Sequence, residues 1–364
     1  MSGSQIACVQ NVAKSYDGLT EAVRGLDLAI APGESVVLLG PEGAGKSTIL
    51  SLLAGFIAPT HGQILLHGQP IQRTKPEQLG LALVVRSGAL FPHLTVAENV
   101  GFPLAARGTA RAARGAKVAW ALDLVRLAGV DAHRPAELSP VQRQKAALAR
   151  ALVAAPPLIL LDEPFGDLEP SEREGQALLL RRIQRSEKCA LLHATRDAAE
   201  AMILADRIVL LTGGVARQTG TPAELYDDPA DLIVASMLGE NNALPGRVAA
   251  VDEDLAQIRL RAGPIVHARI ADMLAPGDDC VLGIRPERIA LAAVEATQMG
   301  AHALAAVVED IIYRGDHVRV RLVIGADAEL IVTRPAAAGL AGIAVGRPAA
   351  LAWQPAHARA FRLP

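Results

Sequence analysis

The sequence predicts an α/β domain built on a parallel sheet, followed by a small, barrel-like all-β domain. Up to about residue 235, short apolar runs typical of buried strands alternate with helical segments. The apolar run 35–39 leads into the glycine-rich loop 40–48, and residues 47–54 then follow a helical pattern. Beyond residue 241 the runs are short and alternate with period two, which is typical of antiparallel strands with one solvated face.

The predicted domain boundaries follow these changes of pattern. We expect the α/β domain at residues 1–236 and the all-β domain at residues 237–364. Within the first domain, Ala, Arg and Leu recur at helical spacing, which predicts a helical subdomain at about residues 93–154. A length of 364 residues fits two or three domains of about 100–200 residues each.

Composition excludes several classes of protein. Hydrophobic residues make up 51% of the chain and charged residues 20%, which excludes a disordered chain. No run approaches the ~18–20 apolar residues of a membrane-spanning helix, and we expect no secretory signal at the N-terminus. Cys8, Cys189 and Cys280 lie far apart without metal-ligand spacing, as expected in a reducing compartment. A net charge of −2 argues against a general nucleic-acid binder.

The loop at residues 40–48 matches the phosphate-binding pattern G-x-x-x-x-G-K-[ST] and lies between a strand and a helix. Glycines let consecutive backbone N–H groups close around phosphates, and the following helix directs its positive end at them. We expect Lys46 to bridge the β- and γ-phosphates and Ser47 to bind Mg²⁺. The predicted nucleotide-binding residues of this loop are Gly40, Pro41, Glu42, Gly43, Ala44, Gly45, Lys46, Ser47 and Thr48.

Two further features belong to the predicted nucleotide site. An apolar strand ends in Asp162 and Glu163, at the sheet edge where open α/β folds bind ligands. We expect Asp162 to contribute to the coordination of Mg²⁺ and Glu163 to activate or orient the attacking water. Tyr16, upstream of the loop, is a candidate for stacking on adenine, although a lone Tyr at a strand end more often serves packing.

The order of motifs resembles the ATP-binding subunits of ABC importers, a family with a P-loop NTPase fold. Residues 137–152 resemble the family's signature segment and its helix, and residues 89–100 resemble the stretch that faces the membrane subunits. Residues 199–202 and 205–208 resemble the segment after the switch histidine. Residues 239–242 and 283–287 are similar to the OB-like, TOBE-type domain of the importer branch that takes up polyamines, iron and sugars. Within that branch they most resemble the polyamine (spermidine/putrescine) importers.

The resemblance implies a RecA-like core with a helical subdomain, an OB-like barrel domain, and an ATP-driven mechanism. Two subunits would close head-to-tail over two MgATP molecules, and each site would combine one phosphate loop with the partner's signature, including Ser139. The implied partners are a second nucleotide-binding subunit, in a homodimer, and transmembrane permease subunits. A periplasmic or extracellular solute-binding protein would act indirectly, and no nucleic acid is implied. The implied location is the cytoplasmic face of the inner membrane.

The chain departs from the family pattern at four places. The Q-loop glutamine is replaced by Arg86, and the switch histidine is replaced by Arg196. Both substitutions introduce permanent cations, although Arg196 can still bind a γ-phosphate. His193 would point to the opposite strand face and does not substitute for the switch histidine. The remaining departures are the signature residues Pro140 and Val141 in place of two glycines and the D-loop residue Glu169 in place of aspartate.

Three interpretations of these residues remain open. The chain is an importer ATPase that works normally, or one whose hydrolysis is weakened by the four departures. Alternatively, it is a catalytically impaired subunit that acts as an ATP-dependent regulatory or structural clamp. The transported solute is also open: polyamine, sugar and ferric iron are all compatible with the branch. A soluble ABC-type ATPase acting on nucleic acid fits the near-neutral charge and single phosphate loop poorly.

Overall fold

The structure is a computed structural model that describes residues 5–271, 273–293, 304–325 and 328–363. It divides into two compact units, Met1–Pro222 and Ala223–Pro364. The sequence places this boundary at residue 236, inside the second of two short helices that precede the strands of the second unit. Arg285, in the second unit, donates hydrogen bonds to the carbonyl oxygens of Ala235 and Gly239, which holds the second of these helices there.

The first unit contains a four-stranded antiparallel sheet and a six-stranded, mostly parallel sheet, whose first strand, β3, lies in sequence between strands of the antiparallel sheet. The antiparallel sheet has the order β2-β1-β4-β5, and its strands are β1 (Ala7–Ser15), β2 (Glu21–Ile30), β4 (His61–Leu66) and β5 (Gln69–Pro70). The six-stranded sheet has the order β10-β9-β3-β8-β7-β6, with β3 (Ser35–Leu39), β6 (Ala82–Val85), β7 (Leu158–Asp162), β8 (Ala190–Thr195), β9 (Arg207–Thr212) and β10 (Val215–Gly220).

Strand β3 is fully buried along its length, as its uninterrupted apolar sequence predicts for a central parallel strand. It pairs in parallel with β8 and β9, while β7 lies between β8 and β6. The carboxyl ends of β3, β8, β7 and β6 therefore meet at one edge of the sheet. In register, Leu39 lies beside Thr195, and Ala194 and Val85 flank Asp162.

The helices of the first unit lie between and after these strands. Helix α1 (Lys46–Leu53) follows β3 directly. Three helices separate β6 from β7, within the stretch predicted as a helical subdomain: α2 (Val96–Ala106), α3 (Arg111–Leu124) and α4 (Pro140–Leu152). Helices α5 (Pro170–Glu187) and α6 (Ala198–Leu204) flank β8 in sequence. No helix in the described part of the chain combines the length and apolar character needed to cross a membrane.

Two short helices stand at the start of the second unit: α7 (Pro222–Asp227), whose first residue is the last of the first unit, and α8 (Leu232–Leu238). The remaining elements described in this unit are strands and three short 3-10 turns. One set forms a closed barrel in the order β11-β12-β13-β20-β14: β11 (Asn242–Asp252), β12 (Leu255–Leu260), β13 (Ile265–Ile270), β14 (Asp279–Ile284) and β20 (Ala358–Arg362). The barrel confirms the predicted all-β class of this region.

A second, five-stranded sheet completes the second unit, and the sequence pattern did not distinguish it from the barrel. Its order is β15-β19-β16-β17-β18, with β15 (Ala290–Ala293), β16 (Leu304–Tyr313), β17 (His317–Ile324), β18 (Ala328–Pro335) and β19 (Pro348–Ala352). Barrel and sheet share one apolar core, because inward-facing residues such as Leu282 and Val320 belong to the same buried cluster.

Candidate nucleotide-binding site

The candidate site is a cavity of about 720 Å³ at the sheet edge where β3, β8, β7 and β6 end. Its walls are formed by the loop after β3, by the first residues after β6 and β7, and by the residue after β8. The lining residues are Ala22, Glu42, Gly43, Ala44, Gly45, Lys46, Ser47, Thr48, Val85, Arg86, Ser87, Asp162, Glu163, Asp167 and Arg196.

The glycine-rich loop adopts its shape because two glycines lie against backbone. Gly45 has φ +93°, and a Cβ at this position would overlap the carbonyl oxygen of Ala22. Gly40 lies equally close to the carbonyl oxygen of Leu211, on β9. The loop can therefore close tightly and lead straight into α1, whose N-cap is Gly45.

Lys46 is held at the base of the cavity by the loop itself. Its ammonium donates hydrogen bonds of 2.8 Å to the carbonyl oxygens of both Gly40 and Pro41. The same ammonium lies 3.8 Å from Glu163 Oε1. The side chain is only 5% exposed, and this burial lowers its pKa. Gly40 and Pro41 contribute through these carbonyl groups and are not among the lining residues.

Ser47 and Asp162, the two predicted Mg²⁺ ligands, lie close together in the cavity. The Ser47 hydroxyl donates to Asp162 Oδ1 at 3.1 Å. Burial raises the pKa of the Asp162 carboxyl, and the hydrogen bond from Ser47 opposes this effect. A hydroxyl and a carboxylate are hard oxygen donors, which Mg²⁺ prefers. In the described residues no group of three or more His, Cys, Asp or Glu side chains forms a metal site, so any ion here would take further ligands from a phosphate or water.

Glu163 is held in a strained backbone conformation beside Asp162. Its φ is +44°, in the left-handed region that side chains other than glycine seldom adopt. Its N–H donates to the carbonyl oxygen of Ala194 at 2.9 Å, which ties the turn to β8. The side chain is 21% exposed and points into the cavity, where a water could reach it.

Three cations surround the Glu163 carboxylate. Besides Lys46, Arg196 Nε lies 3.2 Å from Oε1, and Arg86 lies 3.8 Å from Oε2. Each arginine also has a second acidic partner. Arg196 lies 3.7 Å from Glu42, and Arg86 pairs with Asp167 at 2.5 Å. The predicted site residues Glu42, Arg86, Glu163 and Arg196 are therefore joined by ion pairs along one side of the cavity.

Asp167 was not predicted as a site residue, although it lines the cavity. In the sequence it lies in the D-loop, two residues before Glu169, and its partner Arg86 is 81 residues away. Its hydrogen bond and negative charge raise the pKa of the Arg86 guanidinium. Pairing over that separation depends on β6 and β7 being neighbours in the sheet, which a motif does not reveal.

Tyr16 and Ser139 lie outside the cavity. Tyr16 is 66% exposed, and its hydroxyl lies 3.3 Å from the Thr48 hydroxyl. Its ring is covered on one face by the Lys14 ammonium at 5.4 Å. Ser139 is the N-cap of α4, where its hydroxyl accepts a hydrogen bond from the N–H of Gln142. Pro140 occupies the first turn of that helix, a position where a missing N–H costs the helix nothing.

His193 lies inside the protein, away from the residues that line the cavity. Its Nε2 lies 2.5 Å from Glu200 Oε1, and the Thr195 hydroxyl donates to the other Glu200 oxygen at 2.8 Å. The buried carboxylate of Glu200 thus has two side-chain partners on β8. This arrangement agrees with the expectation that His193 does not take the place of a switch histidine.

Comparison with known proteins decides the family. Residues 23–166 match the ABC transporter family, and residues 282–361 match the TOBE domain. The chain is 39% identical over 285 residues to the sn-glycerol-3-phosphate import ATP-binding protein UgpC of Shigella sonnei, covering 78% of this chain and 79% of that protein. It is 40% identical over 309 residues to the spermidine/putrescine import ATP-binding protein PotA of Pseudomonas aeruginosa, covering 85% of each. The chain belongs to the ATP-binding subunits of ABC importers.

Solved structures match about three fifths of this importer subunit. The structure of cbiO1 from Clostridium perfringens, part of the ABC transporter complex cbiONQ, has 26% identity and a TM-score of 0.58, covering 61% of this chain and 90% of cbiO1. A dimeric ATP-binding cassette bound to ADP and Pi has 27% identity and a TM-score of 0.53, covering 59% of this chain and 98% of that one. The subunit is thus a nucleotide-binding, transport-coupled ATPase of the branch that carries a TOBE domain.

Proposed function

We propose that this importer subunit binds MgATP in the cavity through residues 40–48 and hydrolyses it with Glu163 as the general base. The main support for this proposal is the position of the Lys46 ammonium. Two loop carbonyl groups fix its ammonium beside Glu163, so that one cation can contact the terminal phosphates next to the group that activates water. The neighbouring N–H groups of the loop and the N-terminus of α1 would hold the phosphate oxygens.

Mg²⁺ fits the donors that Ser47 and Asp162 provide. Their oxygens lie 3.1 Å apart, close enough to bind one ion together, and Mg²⁺ commonly binds one or two protein oxygens plus substrate phosphates. When bound, the ion neutralises charge on the phosphates. Asp162 must be ionised for this role, although its pKa is raised by burial.

We further propose that hydrolysis is slow. A general base needs a carboxylate oxygen free to contact the attacking water, whereas Glu163 has Arg196 at 3.2 Å and both Arg86 and Lys46 at 3.8 Å from its oxygens. The arginines cannot exchange a proton near neutral pH. Pro140 and Val141 would slow hydrolysis further. Pro140 has no N–H to donate to the γ-phosphate bound by the partner subunit, and the branched side chain of Val141 keeps the backbone farther from that phosphate. Glu169 replaces the D-loop aspartate and is the N-cap of α5.

The proposed cellular role is to drive solute uptake as a dimer bound to permease subunits at the cytoplasmic face of the membrane. A periplasmic or extracellular solute-binding protein would deliver the solute. The sequence resemblance favours a polyamine, and the PotA relatives support that choice. UgpC, a glycerol-3-phosphate importer subunit, matches with nearly the same identity, which supports an organic phosphate equally. Uptake assays with both solutes in cells lacking this subunit would separate the two.

The decisive experiment compares ATP hydrolysis by the natural chain, together with its membrane partners, with hydrolysis by a restored variant. That variant carries Arg86→Gln, Pro140→Gly, Val141→Gly, Glu169→Asp and Arg196→His. We expect the restored variant to turn over ATP about 10- to 100-fold faster, which corresponds to about 1.4–2.7 kcal/mol of barrier. Glu163→Gln should abolish hydrolysis in both chains and leave ATP binding intact. Equal rates in the natural and restored chains would show that the site is not weakened.

A second candidate function is an ATP-dependent clamp that does not hydrolyse ATP at a useful rate. The ion pairs of Glu163 with two arginines favour this candidate. A clamp would bind ATP and dimerise, and its rate would equal that of its Glu163→Gln variant. A natural chain that hydrolyses ATP measurably faster than Glu163→Gln would exclude the clamp.

A further inference from the structure

The pair formed by Arg86 and Asp167 is the closest of the ion pairs that line the cavity. Arg86 Nε donates to Asp167 Oδ1 at 2.6 Å, and a terminal nitrogen of the same guanidinium lies 2.5 Å from that oxygen. That nitrogen also donates to the carbonyl oxygen of Gly166 at 3.4 Å. The loop after β7 therefore holds one edge of the guanidinium through a side chain and a backbone group.

Gly166 gives the guanidinium the space that this contact needs. A Cβ at residue 166 would lie 3.1 Å from Arg86 Nε and 3.3 Å from both Cδ and Cζ. Those distances are shorter than most contacts of a real Cβ, so a side chain there would push Arg86 outward. Arg86, Gly166 and Asp167 thus fit one another in shape and in charge.

The contact with Asp167 also limits where the opposite edge of the Arg86 guanidinium can lie. A guanidinium is planar, and its donors are fixed relative to one another. With Nε and one terminal nitrogen held on Asp167, the other terminal nitrogen lies 3.8 Å from Glu163 Oε2. That distance exceeds the 2.7–2.9 Å usual for a charge-assisted hydrogen bond. Asp167 holds Arg86 near Glu163 without letting it form a full hydrogen bond.

We infer that Asp167 is a positioning residue that restrains Arg86 and so leaves Glu163 partly available as a base. This inference rests on the proposed role of Glu163 in hydrolysis. Without the Asp167 carboxylate, Arg86 keeps two attractive anions within reach, Glu163 and the terminal phosphate of a bound nucleotide. It would close on them, so that a full hydrogen bond from Arg86 would occupy the Glu163 oxygen that a water must reach, and ATP would bind more tightly.

The test is a double-mutant cycle on the full chain. Four proteins are compared: the natural chain, Asp167→Ala, Arg86→Gln, and Arg86→Gln with Asp167→Ala. Asp167→Glu serves as the conservative control, because it keeps the carboxylate. Each protein is assayed for steady-state kcat and KM, and for binding of a fluorescent ATP analogue and the matching ADP analogue. Residue 167 is exposed, so the substitutions should leave the fold intact.

We expect Asp167→Ala to lower kcat about fivefold and to bind the ATP analogue about threefold more tightly, with ADP binding unchanged within about twofold. Asp167→Glu should retain at least half of the natural kcat. In the Arg86→Gln background, Asp167→Ala should have no effect on either quantity, because the cation that Asp167 restrains is gone.

Two results would overturn the inference. One is an Asp167→Ala effect of equal size with and without Arg86, which would mean that Asp167 acts on something else. The other is a rise in kcat on Asp167→Ala, which would mean that Asp167 pulls Arg86 toward Glu163. Failure of the proposed function gives a different pattern, in which the natural chain and all variants bind neither analogue.

Discussion

The two halves of the nucleotide cavity follow the family pattern to different degrees. In the half formed by the loop after β3 and the end of β7, Lys46, Ser47 and Asp162 all follow the family motif. Lys46 is held by two carbonyl groups of its own loop, and Ser47 donates a hydrogen bond to Asp162. In the half formed by the ends of β6 and β8, Arg86 replaces the neutral Q-loop glutamine and Arg196 replaces the titratable switch histidine. In the proposed mechanism, the first half holds the phosphates and the second half acts on the terminal phosphate. We therefore expect ATP binding and ATP hydrolysis to respond independently to substitutions.

The largest expected effect is a loss of ATP binding when Lys46, in the half of the cavity that follows the family pattern, is replaced. Lys46→Ala should weaken ATP binding by at least about 100-fold, because a buried, charge-assisted donor to the terminal phosphates is lost. Titration with a fluorescent ATP analogue measures the change. Lys117→Ala, on the exposed face of α3, is the matched control and should bind ATP normally. If Lys46→Ala bound ATP as well as the control does, the loop would not be the phosphate site.

A smaller effect, on the rate of hydrolysis, is expected when Arg196, in the half of the cavity that departs from the family pattern, is replaced. Arg196→His should raise kcat about tenfold and leave ATP affinity within about threefold, because it removes the permanent cation 3.2 Å from Glu163. It should also add a pH dependence near pH 6–7, where histidine titrates and arginine does not. The pH–rate profiles of both proteins check this. Profiles of the same shape and height would mean that Arg196 does not restrain the base.

Helix capping gives a stability prediction that is separate from ATP binding. Ser139→Ala should lower the free energy of unfolding by about 1 kcal/mol, because it removes the N-cap hydrogen bond of α4. Thr95→Ala, which removes the equivalent cap of α2, is the matched control and should cost a similar amount. Denaturant unfolding measures both. ATP binding by an isolated Ser139→Ala subunit should be normal, since Ser139 does not line its own cavity.

The smallest effect concerns the buried carboxyl of Asp162, whose pKa is raised by burial. A carboxyl with a raised folded-state pKa destabilises the fold while it is ionised. The penalty shrinks as the pH falls through that pKa and disappears below the unfolded value of about 3.9. Asp162→Asn should therefore raise the unfolding temperature by about 2 °C at pH 7.5 without Mg²⁺, and by less at pH 4.5.

Thermal unfolding at both pH values checks this prediction, with the exposed Asp123→Asn on α3 as the control. The same Asp162→Asn variant should lose Mg²⁺-dependent ATP hydrolysis. A variant that was less stable than the natural chain at pH 7.5 would show that the Ser47 hydrogen bond outweighs the burial of the charge.

Sequence reasoning recovers the features that local chemistry fixes. The strand at 35–39, the loop and the helix after it are encoded by consecutive residues, so their order alone predicts how Lys46 and Ser47 are placed. The ion pairs of Arg86 with Asp167 and of Arg196 with Glu42 join residues that are distant in sequence. Those pairs depend on the strand order β3-β8-β7-β6, which follows from packing of whole strands.

The second unit shows the same limit of sequence patterns. Alternation with period two correctly indicates strands at 256–261 and 318–322, which correspond to β12 and β17. It does not tell that β12 belongs to a closed barrel and β17 to a separate five-stranded sheet, because both strands bury every second residue. The two sheets are completed by long-range pairs, of β20 with β13 and β14 in the barrel and of β19 with β15 and β16 in the five-stranded sheet, and these pairs cross large stretches of sequence.

The closing strand of the barrel has a consequence for how the protein is made. β20 lies between β13 and β14, yet it follows both of them in the chain after the entire five-stranded sheet. On the ribosome, β11 to β14 emerge well before their final partner, so β13 and β14 each keep one unpaired edge during synthesis. Unpaired strand edges are sites of aggregation. A product cut short before Ala358 would keep both edges open permanently, and cellular quality control could recognise it by them.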